Sequence, residues 1–498
     1  MIVKEVDYSL PLYSLYVYNS EKMLFNSFSF IFFLAVVFPL YWLFFSRNIK
    51  VRNAFILFVS YCFYCCWNWK LLSLIIFISL VDFFAGYGIY KLPQRNRKVL
   101  LSVAIVCNVG VLCFFKYFNF FLDSFSRLAN LFNYDCVYTP LDIILPIGIS
   151  FYTFQGLSYV IDIYRQKIEP TTDIVGFCAF IAFFPQLVAG PIERAKNLLP
   201  QFFQDKQFNY DQIRSGLFLI AVGLFRKVVI ADRIAIYVDS VYGNLANVQG
   251  FCVLLAIVLF AFQLYIDFSA YSQIAIGTAR LFGFNLSTNF NKPYLATSFG
   301  DFWSRWHITL TSWFKDYVYI PLGGNRNGVL RTYRNIIIIF LVSGLWHGAN
   351  WNFIIWGAIN GIFLIIFDKI LHFYPTHTIT KIIGCLWVLL VWTFSLVFFR
   401  TSSFTDAITA FSHCGFNNFE AIYEQGLSIA ELKLVFILLI TEMGIDLLVE
   451  KKQELVSDLF FNRFFFIRWS MYFFLILSTI FLGVYGIGND NTFIYFQF

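Results

Sequence analysis

The sequence predicts an all-α protein that passes many times through a lipid bilayer, and three observations carry that reading. Hydrophobic residues make up 59% of the 498 positions and charged residues only 13%, where a soluble domain carries roughly 25% charge. Apolar runs of about 20 residues, the length that spans a hydrocarbon core, recur along the whole chain. No long polar stretch is left to fold separately, so residues 24–498 read as one membrane domain after a polar and aromatic N-terminal segment, 1–23. An ordinary soluble globule is excluded.

The first run, 24–45, is too long for a signal-peptide core and lacks a small-x-small cleavage site, so it reads as a retained helix. Runs 54–69 and 71–90 are flanked by basic clusters at 47–52 and 91–98 and joined at Trp67, Asn68 and Trp69. With both clusters cytoplasmic, they form a hairpin whose outer turn sits in the interfacial aromatic belt. The N-terminus and the 123–140 loop then lie outside. Further runs fall at 99–122, 141–163, 173–190, 215–232, 251–279, 334–346, 351–367, 382–399, 432–449 and 469–487. Some are short enough to be re-entrant, and the expected total is roughly eleven to thirteen passages. Cys62, Cys65 and Cys66 stand in an apolar run with no second Cys/His cluster to answer them, which suits small packing residues. The net charge of +7 sits in short clusters between runs, as topology signals do, and does not call for nucleic acid. No paired, interrupted helices mark an inverted repeat, which counts against a transporter.

Chemistry is sought where polarity enters these runs, because an ionisable group inside a span is costly and functional by default. From Asn335 to Phe367 there is no Asp, Glu, Lys or Arg, yet "WHGANW" (346–351) places His347 and Asn350 in the middle. Gly344 and Gly348 beside them permit a helix break or the close approach of another backbone. A core histidine satisfied by its neighbours is the competing account. A second histidine, His307, lies in "SFGDFWSRWHITLTSWFKDYVYIPLGG" (298–324), which opens with Ser298 and Asp301 at capping-box spacing. Trp303, Trp306, Leu310, Trp313, Tyr317 and Ile320 recur at steps of three and four, which predicts one amphipathic helix lying in the interface with its tryptophans at the acyl boundary. Asp267 is the one charged residue between Asp239 and Arg280, and Gln263, Asp267 and Tyr271 share a helical face. It is read either as a structural partner for a base such as Arg305 or as part of a pocket wall. No phosphate loop, H-E-x-x-H or G-x-S-x-G stretch is present, and two histidines lack the third ligand that a catalytic zinc takes. No metal is expected.

Several long stretches, in this order, resemble the membrane-bound O-acyltransferase family, in particular its alginate O-acetyltransferase-like bacterial branch. They are "LPIGISFYTFQGLSYVIDIYR" (145–165), "FFPQLVAGPIERAKNLLPQF" (183–202), "YIDFSAYSQIAIG" (265–277), "DFWSRWHITLTSWFKDYVYIPLGGNR" (301–326), "SGLWHGANWNFIIWG" (343–357) and the terminal "FIYFQF" (493–498). The core of the resemblance lies at about 141–367. It implies a ring of transmembrane and re-entrant helices around a thin central tunnel or funnel, in a multi-pass protein of the cytoplasmic membrane. It also implies that His347 is the signature histidine and His307 the second family position.

The activity it implies is transfer of an acyl group, commonly acetyl, from a cytoplasmic thioester such as acetyl-coenzyme A. Delivery would be to the outer side, through an extracytoplasmic serine-esterase-like partner that modifies a surface polysaccharide. No tightly bound cofactor is expected, and the other partners are membrane lipids. The residues suit such chemistry: histidine has a pKa near working pH, and a neutral imidazole tolerates a low-dielectric site. The expectation is His347 as general base or transient acyl carrier, with His307 orienting the acceptor or stabilising oxyanion charge. Asp267, Trp303, Arg305, Lys315, Tyr317, Trp346 and Asn350 complete the candidate set, Arg305 and Lys315 as attractors of the donor's phosphates. D-alanyl transfer to teichoic acid, a glycan or lipid transporter using a proton relay, and a non-catalytic scaffold are the alternatives.

Overall fold

The computed structural model describes residues 23–134, 138–188, 190–461, 465–485 and 493–494. These residues are helical almost throughout and contain no β-strand. Residues 1–22 of the expected N-terminal segment and 495–498 of "FIYFQF" lie outside them. In chain order the first helices are α1 (Phe28–Leu40), α2 (Ile49–Asn68), α3 (Leu72–Lys91), α4 (Gln94–Leu112), α5 (Phe118–Leu131), α6 (Ile149–Tyr164) and α7 (Ile174–Ile181). Two single turns follow, α8 (Phe184–Leu187) and α9 (Ala195–Leu198), then α10 (Tyr210–Phe225), α11 (Asp232–Gly243) and α12 (Phe251–Leu281). After them come α13 (Phe299–Arg305), α14 (Ile308–Phe314), α15 (Val329–His347), α16 (Trp351–Leu364), α17 (Thr378–Arg400), α18 (Phe404–His413), α19 (Ile429–Phe461) and α20 (Phe465–Leu482).

Short polar side chains set many of the starts. Ser27, Asn48, Asn209, Asn350 and Ser403 each accept from a backbone N–H in the first turn of the helix that follows. Seven helical stretches among the described residues are long and apolar enough to cross a bilayer: 28–45, 49–91, 94–131, 251–281, 329–347, 351–370 and 378–400. The second holds both runs of the expected hairpin, α2 and α3, with the chain leaving the helix at Asn68 between them. The core is built around α12, whose 31 residues are buried on nearly every side against α8, α10, α11 and α17.

Two expected runs are corrected. The 141–163 run is helical only from Ile149; residues 138–146 are irregular, because Pro140 and Pro146 disfavour helix in their neighbours and Gly148 takes a left-handed φ of 72°. The 173–190 run breaks at Phe183, ahead of Pro185, into α7 and α8.

Candidate active site

The "WHGANW" stretch is the turn of a tight helical hairpin. α15 ends at His347, Gly348 leaves the helix, and Asn350 caps α16 by accepting from Asn352 N–H at 2.9 Å. The two helices pack closely through glycine: a Cβ on Gly344 would stand 2.2 Å from the carbonyl oxygen of Phe353, and one on Gly357 2.2 Å from that of Phe340. His347 is thereby held at the end of a helix inside the protein, 5% exposed. Its ring meets Trp346, Trp356 and Phe399 edge to face, at centroid distances of 5.0, 5.1 and 5.3 Å.

The amphipathic helix expected over 298–324 is corrected. It breaks at His307, whose φ of 42° lies in the left-handed region, separating α13 from α14. The break is held by tertiary pairing with 289–291: Asn291 N–H donates to Arg305 O at 3.0 Å and Ile308 N–H to Asn289 O at 2.9 Å. Its tryptophans do not lie at an acyl boundary either, since Trp306 and Trp313 are buried in the protein. The break turns His307 against Phe268 of α12, centroids 4.7 Å apart, and brings it within 6.0 Å of the Trp346 ring.

Two cavities meet these histidines. One, about 400 Å³, is lined by His307 and His347 with Trp303, Trp306, Phe314 and Phe340, and by Lys315 and Lys369. The other, about 350 Å³, is lined by His347 and Trp346 with Tyr64, Trp67, Asn68 and Lys116. They are called here the tryptophan chamber and the Lys116 chamber. His347 borders both.

Of the residues singled out from sequence, the structure therefore gathers His307, His347, Trp303 and Lys315 around the tryptophan chamber, and Trp346 with His347 around the other. The remaining four line neither. Arg305 is engaged by Asp301 at 2.7 Å and Glu450 at 3.1 Å. The Tyr317 hydroxyl donates to Asp162 at 2.8 Å, and the Asn350 amide donates to Ser402 O at 2.6 Å. Asp267 does not pair with Arg305: its carboxylate meets Lys227 Nζ at 2.8 Å, which also meets Asp232 at 2.8 Å, and it accepts from Ile494 N–H at 2.9 Å.

Sequence reasoning missed Lys116, on a π-helical turn between α4 and α5, which donates to the carbonyl oxygens of Trp346 and His347. Its signal was available, because it is the one charged residue between Lys98 and Asp123. It also missed Asn289, whose side-chain oxygen lies 3.1 Å from Nδ1 of His307. Among the described residues no group of three or more His, Cys, Asp or Glu side chains is placed to hold a metal ion.

Comparison with known proteins bears on the family. Residues 165–405 match the membrane-bound O-acyltransferase family. The chain is 40% identical to a probable alginate O-acetylase of Azotobacter vinelandii over 347 residues, covering 69% of this chain and 68% of that one. It is 36% identical to a peptidoglycan O-acetyltransferase of Helicobacter pylori over 423 residues, 78% of each chain. A teichoic acid D-alanyltransferase of Bacillus subtilis is 26% identical over 247 residues, 45% of this chain and 59% of that one. Many apolar helices, two histidines on one chamber and this extent of similarity agree, and the chain belongs to the membrane-bound O-acyltransferase family, as a multi-pass O-acyltransferase of the alginate O-acetylase-like branch.

Proposed function

We propose that this enzyme takes an acetyl group from a cytoplasmic thioester, acetyl-coenzyme A or an equivalent carrier, and passes it through the membrane domain for O-acetylation of a cell-surface polysaccharide. One observation carries the reading: His347 borders both chambers. A thioester arm entering the tryptophan chamber and an acceptor entering the Lys116 chamber would meet at that imidazole. The chambers suit these roles. Lys315 and Lys369 line the first and supply positive charge for donor phosphates. Trp67 and Asn68 line the second and belong to the hairpin turn that the basic clusters assign to the outer face.

His347 acts as general base or transient acyl carrier, and His307, which lines the tryptophan chamber, either orients the acceptor hydroxyl once it reaches past His347 or stabilises developing oxyanion charge. Enclosure among tryptophans keeps bulk water from competing for the acyl group. The acceptor is the polysaccharide itself or the hydroxyl of an extracytoplasmic serine-esterase-like partner that modifies it, and the membrane is the cytoplasmic one. Acetyl is favoured over D-alanyl because the tryptophan chamber already holds two lysines among apolar rings, and an alanyl ammonium would add a third cation there.

The test is transfer of labelled acetyl from acetyl-coenzyme A by membranes carrying the protein, with mass analysis of surface glycans from cells with and without it. His347→Ala, inserted at normal levels, should abolish transfer. Undiminished transfer by that variant, or glycans with unchanged acetyl esters, would overturn the proposal.

A further inference from the structure

Asn289 is buried, and its side-chain oxygen is a meeting point for three groups: Thr309 N–H at 3.3 Å, the Thr309 hydroxyl at 2.9 Å and Nδ1 of His307 at 3.1 Å. Backbone donors fix which way the amide points. Thr309 N–H can only donate, so the atom facing it must be the oxygen. The Thr309 hydroxyl accepts from Ile192 N–H at 3.0 Å, which leaves its own proton for Asn289. Turning the amide over would set an NH2 group against a donor. Asn289 Nδ2 makes no hydrogen bond to a described residue, so the site uses this side chain for its oxygen alone.

An oxygen at that place accepts, so His307 must donate from Nδ1. A neutral imidazole carries one N–H and one lone pair. With the proton on Nδ1, the lone pair is on Nε2.

We infer that Asn289 is a positioning residue that holds His307 in the Nδ1–H tautomer, making Nε2 a hydrogen-bond acceptor. The inference rests on the acyl-transfer reading for its consequence and decides between the two roles open to His307. A group that stabilises an oxyanion must present a donor, and Nε2 in this tautomer presents none. His307 therefore orients the acceptor by taking a hydrogen bond from its hydroxyl, and developing oxyanion charge is met by other groups. The left-handed turn at His307 serves the same end, because Asn289 O pairs with Ile308 N–H and keeps the ring beside the Asn289 side chain.

Asn289 sets the tautomer through its oxygen at Nδ1, and aromatic rings pack around the imidazole. α12 presents Phe268 to the ring, and Phe290 and Trp346 close on it at 6.4 and 6.0 Å. Asp267, next to Phe268, is bound by Lys227. The titratable groups sharing the chamber are His347 from α15, Lys315, Tyr319 and Lys369.

The experiment uses the full-length protein in bilayers with 15N-labelled histidine, so that the ring resonances report the tautomer independently of turnover. The wild type should show His307 protonated at Nδ1 and bare at Nε2, with assignment by loss of the signal in His307→Gln. Asn289→Leu should mix the tautomers and lower kcat about 100-fold. Asn289→Asp keeps an acceptor, should restore the tautomer and most of kcat, and should move the acid limb of the pH profile up by about one unit or more, because a carboxylate favours the imidazolium. Protonation at Nε2 in the wild type overturns the inference, as does an Asn289→Leu protein with unchanged tautomer and kcat. If His307→Gln and His347→Ala both keep full acetyl transfer, the functional reading falls while the tautomer result stands on its own.

Discussion

The ammonium of Lys116 lies 3.0 Å from the carbonyl oxygen of His347, and 2.7 Å from that of Trp346. The last carbonyls of a helix have no partners within it and carry the negative end of its dipole. At the end of α15, Lys116 supplies both a donor and a charge from more than 200 residues away in the chain. The histidine is fixed from its backbone side by this clamp and from its ring side by Trp356 and Phe399.

Lys116→Met should therefore lower acetyl transfer by about tenfold or more, since charge-assisted hydrogen bonds are worth about 1.5–3 kcal/mol. The check is initial rates in membranes containing equal amounts of wild-type and variant protein. A wild-type rate would show that α15 holds His347 without this clamp.

Gly344→Ala and Gly357→Ala place a methyl group 2.2 Å from a facing carbonyl oxygen in each case. Relief requires α15 and α16 to move apart, and overpacking of this kind costs about 1–3 kcal/mol. Both variants should show a lower Tm in detergent and lower activity, because the hairpin turn carries His347.

Lys227 bridges Asp232 and Asp267 with all three side chains nearly inaccessible to solvent. Removing one partner of a buried ion pair costs about 3–5 kcal/mol, so Lys227→Met should fold poorly. Asp267→Asn should lower Tm while leaving KM for the acyl donor unchanged in the folded fraction. A changed KM at unchanged Tm would return Asp267 to the substrate site.

Glu193 lies in the loop before α9, where its carboxylate accepts from the Ser287 N–H and hydroxyl. Burial pushes its pKa up from 4.5 to about 7, against the lowering effect of Ser287 and Arg194. Between pH 4.5 and about 7 the folded chain holds a proton that the unfolded chain has released, so this group's contribution to stability falls as pH rises through that window and levels off above it. Glu193→Gln should flatten the corresponding slope in Tm between pH 5 and 7. An identical slope in the variant would assign the effect to another group.

The helical membrane fold was legible because composition and run length are sufficient to demand it. His347 was legible too, since an imidazole flanked by glycines in a charge-free run has few explanations. The break at His307 was not: Trp303, Trp306, Leu310 and Trp313 keep helical spacing straight through it, and only pairing with Asn289 and Asn291 interrupts the helix. Asp267 announced that it needed a cation without saying which, and Lys227, beside Arg226 at the end of α10, could be matched to it only in three dimensions. Asn289 had no signal at all, because an asparagine in a polar loop is unremarkable until its oxygen is seen to meet an imidazole.

Because His347 is common to both chambers, the wall between them at that point is about one side chain thick. Under the proposed acyl-transfer role, that ring must also insulate the cell, keeping protons and small ions from leaking down their gradients while a substrate passes. Trimming it to glycine would threaten the membrane potential as well as the reaction, which gives the tight aromatic collar around it a second purpose.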